Sequence, residues 1–155
     1  MLEQEGCECM ECKYVTAQTR LESTLNAKNK EEFIAQFRHL LSGAKSRKNI
    51  VYIWQTVQGL PRLRGESPII YIGKTVQSLY SRYSRYIKAD TEEYWERYLY
   101  IMENFGPISI HVYESSDASF TENIFLYQYH KKHLELPPLN LRSFNREKAL
   151  TKVST

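Results

Sequence analysis

The residues that punctuate or cross-link a chain are scarce here: 155 residues contain 6 glycines, 5 prolines and 3 cysteines. So little Gly and Pro excludes a low-complexity or collagen-like chain, and 42% hydrophobic with 25% charged residues excludes disorder. The cysteines are odd in number and confined to Cys7, Cys9 and Cys12, so they cannot staple the body of a fold. Three clustered sulfurs without a second close-spaced pair also fall short of a zinc signature. No apolar run approaches the roughly 20 residues of a membrane-spanning helix, so no membrane partner is expected. The opening, with Glu3, Glu5 and Glu8, is unlike a secretory signal, and the expected location is cytoplasmic. Phosphate-binding GxxxxGK[ST] loops, serine-hydrolase elbows and dinucleotide glycine motifs are all missing, which argues against nucleotide-driven and redox chemistry.

What is present is concentrated charge. Residues 43–88 hold nine basic side chains against one acid, Glu66, within a chain whose net charge is only +3. Lys45, Arg47, Lys48, Arg62, Arg64, Arg85 and Lys88 are the candidates to track a polyanion outside a reactive centre, most simply a nucleic acid. Tyrosine is the second excess, at 12 against 6 phenylalanines.

The pattern along the chain predicts an α+β fold. Residues 1–15 read as an irregular arm. Asn29 and Glu32 have capping-box spacing for a helix whose apolar stripe is Phe33, Ile34, Phe37, Leu40 and Leu41, closed by Gly43. Residues 49–57 and 68–72 read as strands joined by a long basic loop over 58–66, and a helix is expected from Gly73 to about Ile87. Asp90 and Glu93 have capping-box spacing for a helix that Gly106-Pro107 ends, Ile108, Ile110 and Val112 alternate as a third strand, and a last helix runs from Ser119 to about Leu134. The expected division is an arm and helix over 1–48, a main α+β domain over 49–141 and a tail over 142–155.

Taken singly, the polar residues of this region have ordinary explanations. Glu122 can complete a capping box with Ser119, Tyr52 and Tyr71 can be half-buried strand residues, and Arg82 and Arg85 can form a solvated helix face. Lys74 at a helix start opposes the helix dipole, so a structural role suits it less. His130 and His133 are expected to face solvent or phosphate, and His111 lies on the polar face of the third strand.

In order, however, Tyr52 in a strand, Tyr71-Ile72-Gly73-Lys74, Arg82 and Glu122 in helices and Pro137-Pro138-Leu139-Asn140 form a set that resembles the GIY-YIG nuclease domain over residues 49–141. Ile50 stands where that family has the glycine of its first motif, and the Tyr52–Tyr71 and Glu122–Asn140 separations are longer than in minimal members. The resemblance implies a small three-stranded antiparallel sheet flanked by helices, here with an N-terminal helical extension. It also implies a divalent-metal-dependent endonuclease hydrolysing DNA. Arg82 would clamp the scissile phosphate, with Tyr86 sharing its helix face, and Glu122 would hold Mg²⁺ or Mn²⁺. Tyr52 would activate water in the positive field of Lys74, with Tyr71 orienting that water or replacing Tyr52 as base. Gly73 and Asn140 would be structural. Cleavage of both strands would require a homodimer or a partner subunit. The alternative function is a catalytically inactive nucleic-acid-binding module of the same fold.

Overall fold

The computed structural model describes residues 10–140. Its elements, in chain order, are β1 (Val15–Arg20), α1 (Lys30–Ser42), β2 (Ile50–Pro61), β3 (Glu66–Thr75), α2 (Leu79–Tyr83), α3 (Ile87–Phe105), β4 (Ser109–Ser115) and α4 (Ala118–His133). The strands form one antiparallel sheet in the order β1-β4-β2-β3. Among the described residues no helix is long and apolar enough to cross a membrane.

The sheet has four strands rather than the expected three. The additional strand, β1, reads VTAQTR and is mostly exposed, so it carries no apolar alternation to announce it. It joins through backbone hydrogen bonds that cover the otherwise open edge of β4, from Val15 opposite Ser115 to Arg20 opposite His111. Residues 21–27 continue inward, burying Leu21, Leu25 and Ala27 in the same core as the sheet. The N-terminal part of the described chain is thus built into the fold rather than appended to it.

Side-chain alternation along the strands creates two cores. On one face Tyr52, Trp54, Ile70, Ile110 and Val112 meet Phe33 and Phe37 of α1, Tyr83 of α2 and Tyr98 and Met102 of α3. On the other, Val51, Ile53, Ile69, Ile72 and Tyr113 meet Phe120, Ile124, Phe125 and Tyr129 of α4. The sheet is therefore covered by helices on both sides.

The α1 boundaries follow the sequence. The Asn29 side chain accepts from the Glu32 backbone N–H at 2.8 Å, Glu32 accepts from Lys28 N–H at 3.2 Å, and Gly43 closes the helix. The hairpin departs from expectation, because residues expected as loop are paired strand up to Pro61 opposite Glu66. Proline is tolerated there because β4 pairs with β2 only as far as Gln55, leaving the distal part of β2 with a single neighbour. The single helix expected up to Ile87 is instead β3 extended to Thr75, the short α2 capped by the Ser78 side chain, and an early start of α3.

Candidate functional site

A cleft of about 580 Å³ opens beside β3, where side chains from both helical layers reach around the edge of the sheet. Tyr52, Tyr71, Lys74, Arg82, Glu122 and Asn140 all line it. Each comes from a separate part of the fold. Tyr52 is on β2, Tyr71 and Lys74 are on β3, Arg82 is on α2, Glu122 is on α4, and Asn140 follows α4.

The backbone explains how the tyrosines converge. Tyr52 pairs with Gly73 and Trp54 with Tyr71, so these four residues share one face. The ladder then slips, with Gln55 opposite Ile69, and this bulge turns Ile70 and Tyr71 to the same side. A Cβ at position 73 would sit 2.7 Å from the Tyr52 hydroxyl and from Cε1 of Tyr71, so the glycine makes room for both phenols. The Tyr52 ring lies 5.9 Å from that of Tyr71 and 5.7 Å from that of Tyr83.

The Tyr52 hydroxyl interacts with the hydroxyls of both Tyr83 and Tyr71. Burial raises the pKa of all three phenols above the ordinary tyrosine value, while the nearby Arg82 guanidinium pulls each back. Tyr71 is only half-buried, whereas Tyr52 is 1% exposed. Negative charge is therefore better tolerated on the Tyr71 oxygen than on that of Tyr52.

Glu122 is free of the capping role that its spacing suggests. Asp117, not Ser119, is the N-cap of α4 and accepts from Phe120 N–H at 3.0 Å. Ser119 Oγ instead accepts from Lys74 Nζ at 2.6 Å. Glu122 is half-buried and makes no ion pair or side-chain hydrogen bond with the described residues. Burial holds its carboxyl above the usual range, with Lys74 pulling the other way. A desolvated hard oxygen donor without a protein partner fits one ligand position of Mg²⁺ or Mn²⁺, with water and phosphate oxygens supplying the others. No group of three or more His, Cys, Asp or Glu stands together among the described residues. Cys7 and Cys9 lie outside those residues, and the Cys12 thiol sits 3.4 Å from Thr121 Oγ1.

Several expected positions are occupied differently. Tyr86 is 51% exposed and off the cleft wall, because α2 ends at Tyr83 and the helix does not continue to carry residue 86 over Arg82. Its ring still lies 5.7 Å from the Arg82 guanidinium, and Tyr83 takes the place inside. Asn140 accepts from Ile72 N–H at 2.9 Å and donates to Ile72 O at 2.8 Å, fastening the chain after α4 to the free edge of β3.

The basic candidates divide into two groups. Arg62 pairs with Glu135 at 2.9 Å and donates to Leu136 O, and Arg64 donates to the carbonyls of Lys131 and Lys132. The hairpin tip thus caps the C-terminal end of α4, where cations complement the helix dipole. His133 is 1% exposed beneath that tip, bonded to Arg64 O at 3.0 Å, rather than facing solvent. Lys45, Lys48, Arg85 and Lys88 are exposed and Arg47 partly so, and none pairs with an acid among the described residues. His111 contacts Ser109 on β4 and does not line the cleft.

The α3 wall contributes Asp90, expected only as a helix cap, and Tyr94, Arg97 and Tyr98, which did not stand out in the sequence. Their spacing of four, seven and eight places them on one helix face, a pattern that without tertiary context reads as solvated surface. Because α3 starts at Ile87 with Tyr86 as its N-cap, Asp90 is released from the expected capping role. Comparison of the chain with protein-family models, curated proteins and solved structures returned no match.

Proposed function

We propose that this chain is a divalent-metal-dependent endonuclease of the GIY-YIG type that hydrolyses a DNA phosphodiester bond. The observation that carries this reading is the convergence of Tyr71, Lys74, Arg82 and Glu122 on one cleft, with Gly73 beneath the tyrosines. These side chains supply a proton acceptor, two cations and a metal-binding carboxylate, the set that in-line attack of water on a phosphate diester requires.

Arg82 binds the non-bridging oxygens with its planar donors and keeps its charge at every working pH. Tyr71, rather than Tyr52, takes the proton of the attacking water, after losing its own to solvent to become the phenolate, because its oxygen is less buried than that of Tyr52 and lies in the field of Arg82. Lys74, held by Ser119, adds positive charge on the same side. Glu122 holds Mg²⁺ or Mn²⁺, which when bound neutralises charge on the phosphate and the departing 3′ oxygen. The oxygen of water becomes bonded to phosphorus, the bond to the 3′ oxygen breaks, and that oxygen leaves as a hydroxyl after protonation from solvent. Exposed Lys45, Lys48, Arg85 and Lys88, with Arg47, track the neighbouring backbone.

Supercoiled plasmid incubated with Mg²⁺ or Mn²⁺ tests the reading. Conversion to nicked circles that EDTA abolishes is expected. Intact plasmid under every metal condition contradicts it. A second reading, a non-catalytic nucleic-acid-binding module, draws on the burial that disfavours phenolate on Tyr52 and Tyr83, and predicts EDTA-insensitive binding without cleavage.

A further inference from the structure

The cleft is larger and more aromatic than a clamp for one backbone phosphate needs. Its volume of about 580 Å³ lies within the roughly 300–1,000 Å³ of cavities that enclose an entire small ligand. Beyond Arg82 the α3 wall presents Tyr94 and Tyr98, with ring centroids 6.3 Å apart, and the Tyr98 ring lies 5.8 Å from Trp54. The Trp54 indole N–H is buried and has no acceptor among the described residues. Tyr94 is half-buried at the rim, with the exposed Arg97 guanidinium 5.7 Å from its ring centroid. Arg97 pairs with no acid among the described residues, so its charge remains available to a phosphate. Asp90 stands on the same α3 face between Arg82 and Tyr94 in sequence and supplies hydrogen-bond acceptors.

A paired duplex keeps its bases stacked inside and offers a surface only phosphates and groove edges. An arginine can meet a phosphate on such a surface, but an aromatic wall has no base face there to stack on. An unpaired nucleotide does have the complementary parts, a π-face for the rings and a flanking phosphate for Arg97. We propose that the α3 side of the cleft binds an unpaired nucleotide adjacent to the scissile phosphate, with its base against Tyr94 and its phosphate on Arg97. This rests on the nuclease reading and narrows it to strands carrying an unpaired, bulged or extruded nucleotide.

The test uses the full chain with Glu122→Ala, so that no substrate is consumed. Binding is measured for a fluorescein-labelled DNA duplex carrying one unpaired thymine and for the same duplex fully paired. The unpaired form is expected to bind more tightly. Tyr94→Ala is expected to weaken that binding roughly fivefold or more, the worth of one base stack, while paired-duplex binding changes less than about twofold. Tyr94→Phe should restore it, which a structural role of the hydroxyl would not. Arg97→Ala is expected to reduce the salt dependence of binding to the unpaired form alone. Equal losses on both DNAs, or none, overturn the assignment, as does competition by free thymidine 5′-monophosphate at the concentration of the strand. Nicking assays with Glu122 intact separate the two readings. Metal-dependent nicking that is equally fast on paired DNA and indifferent to Tyr94 sinks this inference alone, whereas Tyr94-dependent binding without cleavage by any form sinks the nuclease.

Discussion

Gly73 stands directly opposite Tyr52 on the β2–β3 ladder, and a methyl group there would lie 2.7 Å from the Tyr52 hydroxyl. The hydroxyl cannot retreat easily, because the ring is 1% exposed and its oxygen is bonded to Tyr83 and Tyr71. Gly73→Ala is therefore expected to cost about 1–3 kcal/mol by overpacking. Chemical denaturation should show the loss, and activity should fall further than stability alone explains, because both phenols must move.

Their different burial makes Tyr52 and Tyr71 unequal. Tyr71→Phe removes the proton acceptor and is expected to reduce kcat by about 10²- to 10⁴-fold. Tyr52→Phe removes one hydrogen bond to that acceptor, worth about 1 kcal/mol, and should reduce kcat by only about five- to tenfold. Since the Tyr71 pKa is raised, the rate should keep climbing with pH and reach no plateau below about 10, the ordinary tyrosine value. A plateau near neutrality would point to a different base. Rate–pH profiles of the two variants check both statements.

Glu122 prefers its proton in the folded state, because burial raises its pKa. A raised carboxyl pKa means that folding is penalised above it, and the penalty disappears as pH falls towards the unfolded-state value. Glu122→Gln should therefore stabilise the metal-free protein slightly at pH 7 and lose that advantage in acid. The same substitution should abolish metal-dependent cleavage. Thermal denaturation in EDTA at several pH values, beside a cleavage assay, reads both effects.

The two groups of basic residues should separate experimentally. Arg62→Ala and Arg64→Ala release the hairpin tip from the end of α4 and are expected to lower the Tm. They should leave the salt dependence of duplex binding unchanged. Lys48→Ala, Arg85→Ala and Lys88→Ala should do the reverse, each reducing the salt slope by about 0.9 if it meets one phosphate.

Much of this architecture was legible in the sequence because local chemistry dictated it. Asn29 and Gly43 bound α1 as expected, Gly106 ends α3, and β2, β3 and β4 follow their β-branched and aromatic runs. Strand β1 was invisible because backbone pairing recruits it without apolar alternation. The break between α2 and α3 was also hidden, and that break exchanges Tyr86 for Tyr83 and turns Asp90 towards the cleft. The motif residues Tyr52, Tyr71, Lys74, Arg82, Glu122 and Asn140 could be chosen from their order, although their meeting depends on the β3 bulge and on the N-cap at Asp117. Tyr94 and Arg97 gave no signal, since an exposed helix face and a cleft wall have the same sequence pattern.

The most direct measurement is the rate at which supercoiled plasmid is nicked in Mg²⁺ by the unaltered chain, Arg82→Ala and Glu122→Ala. The account predicts EDTA-sensitive nicking by the unaltered chain, with each substitution reducing the rate about 10²- to 10³-fold while the thermal unfolding profile persists. Nicking that persists at full rate in both variants would contradict it.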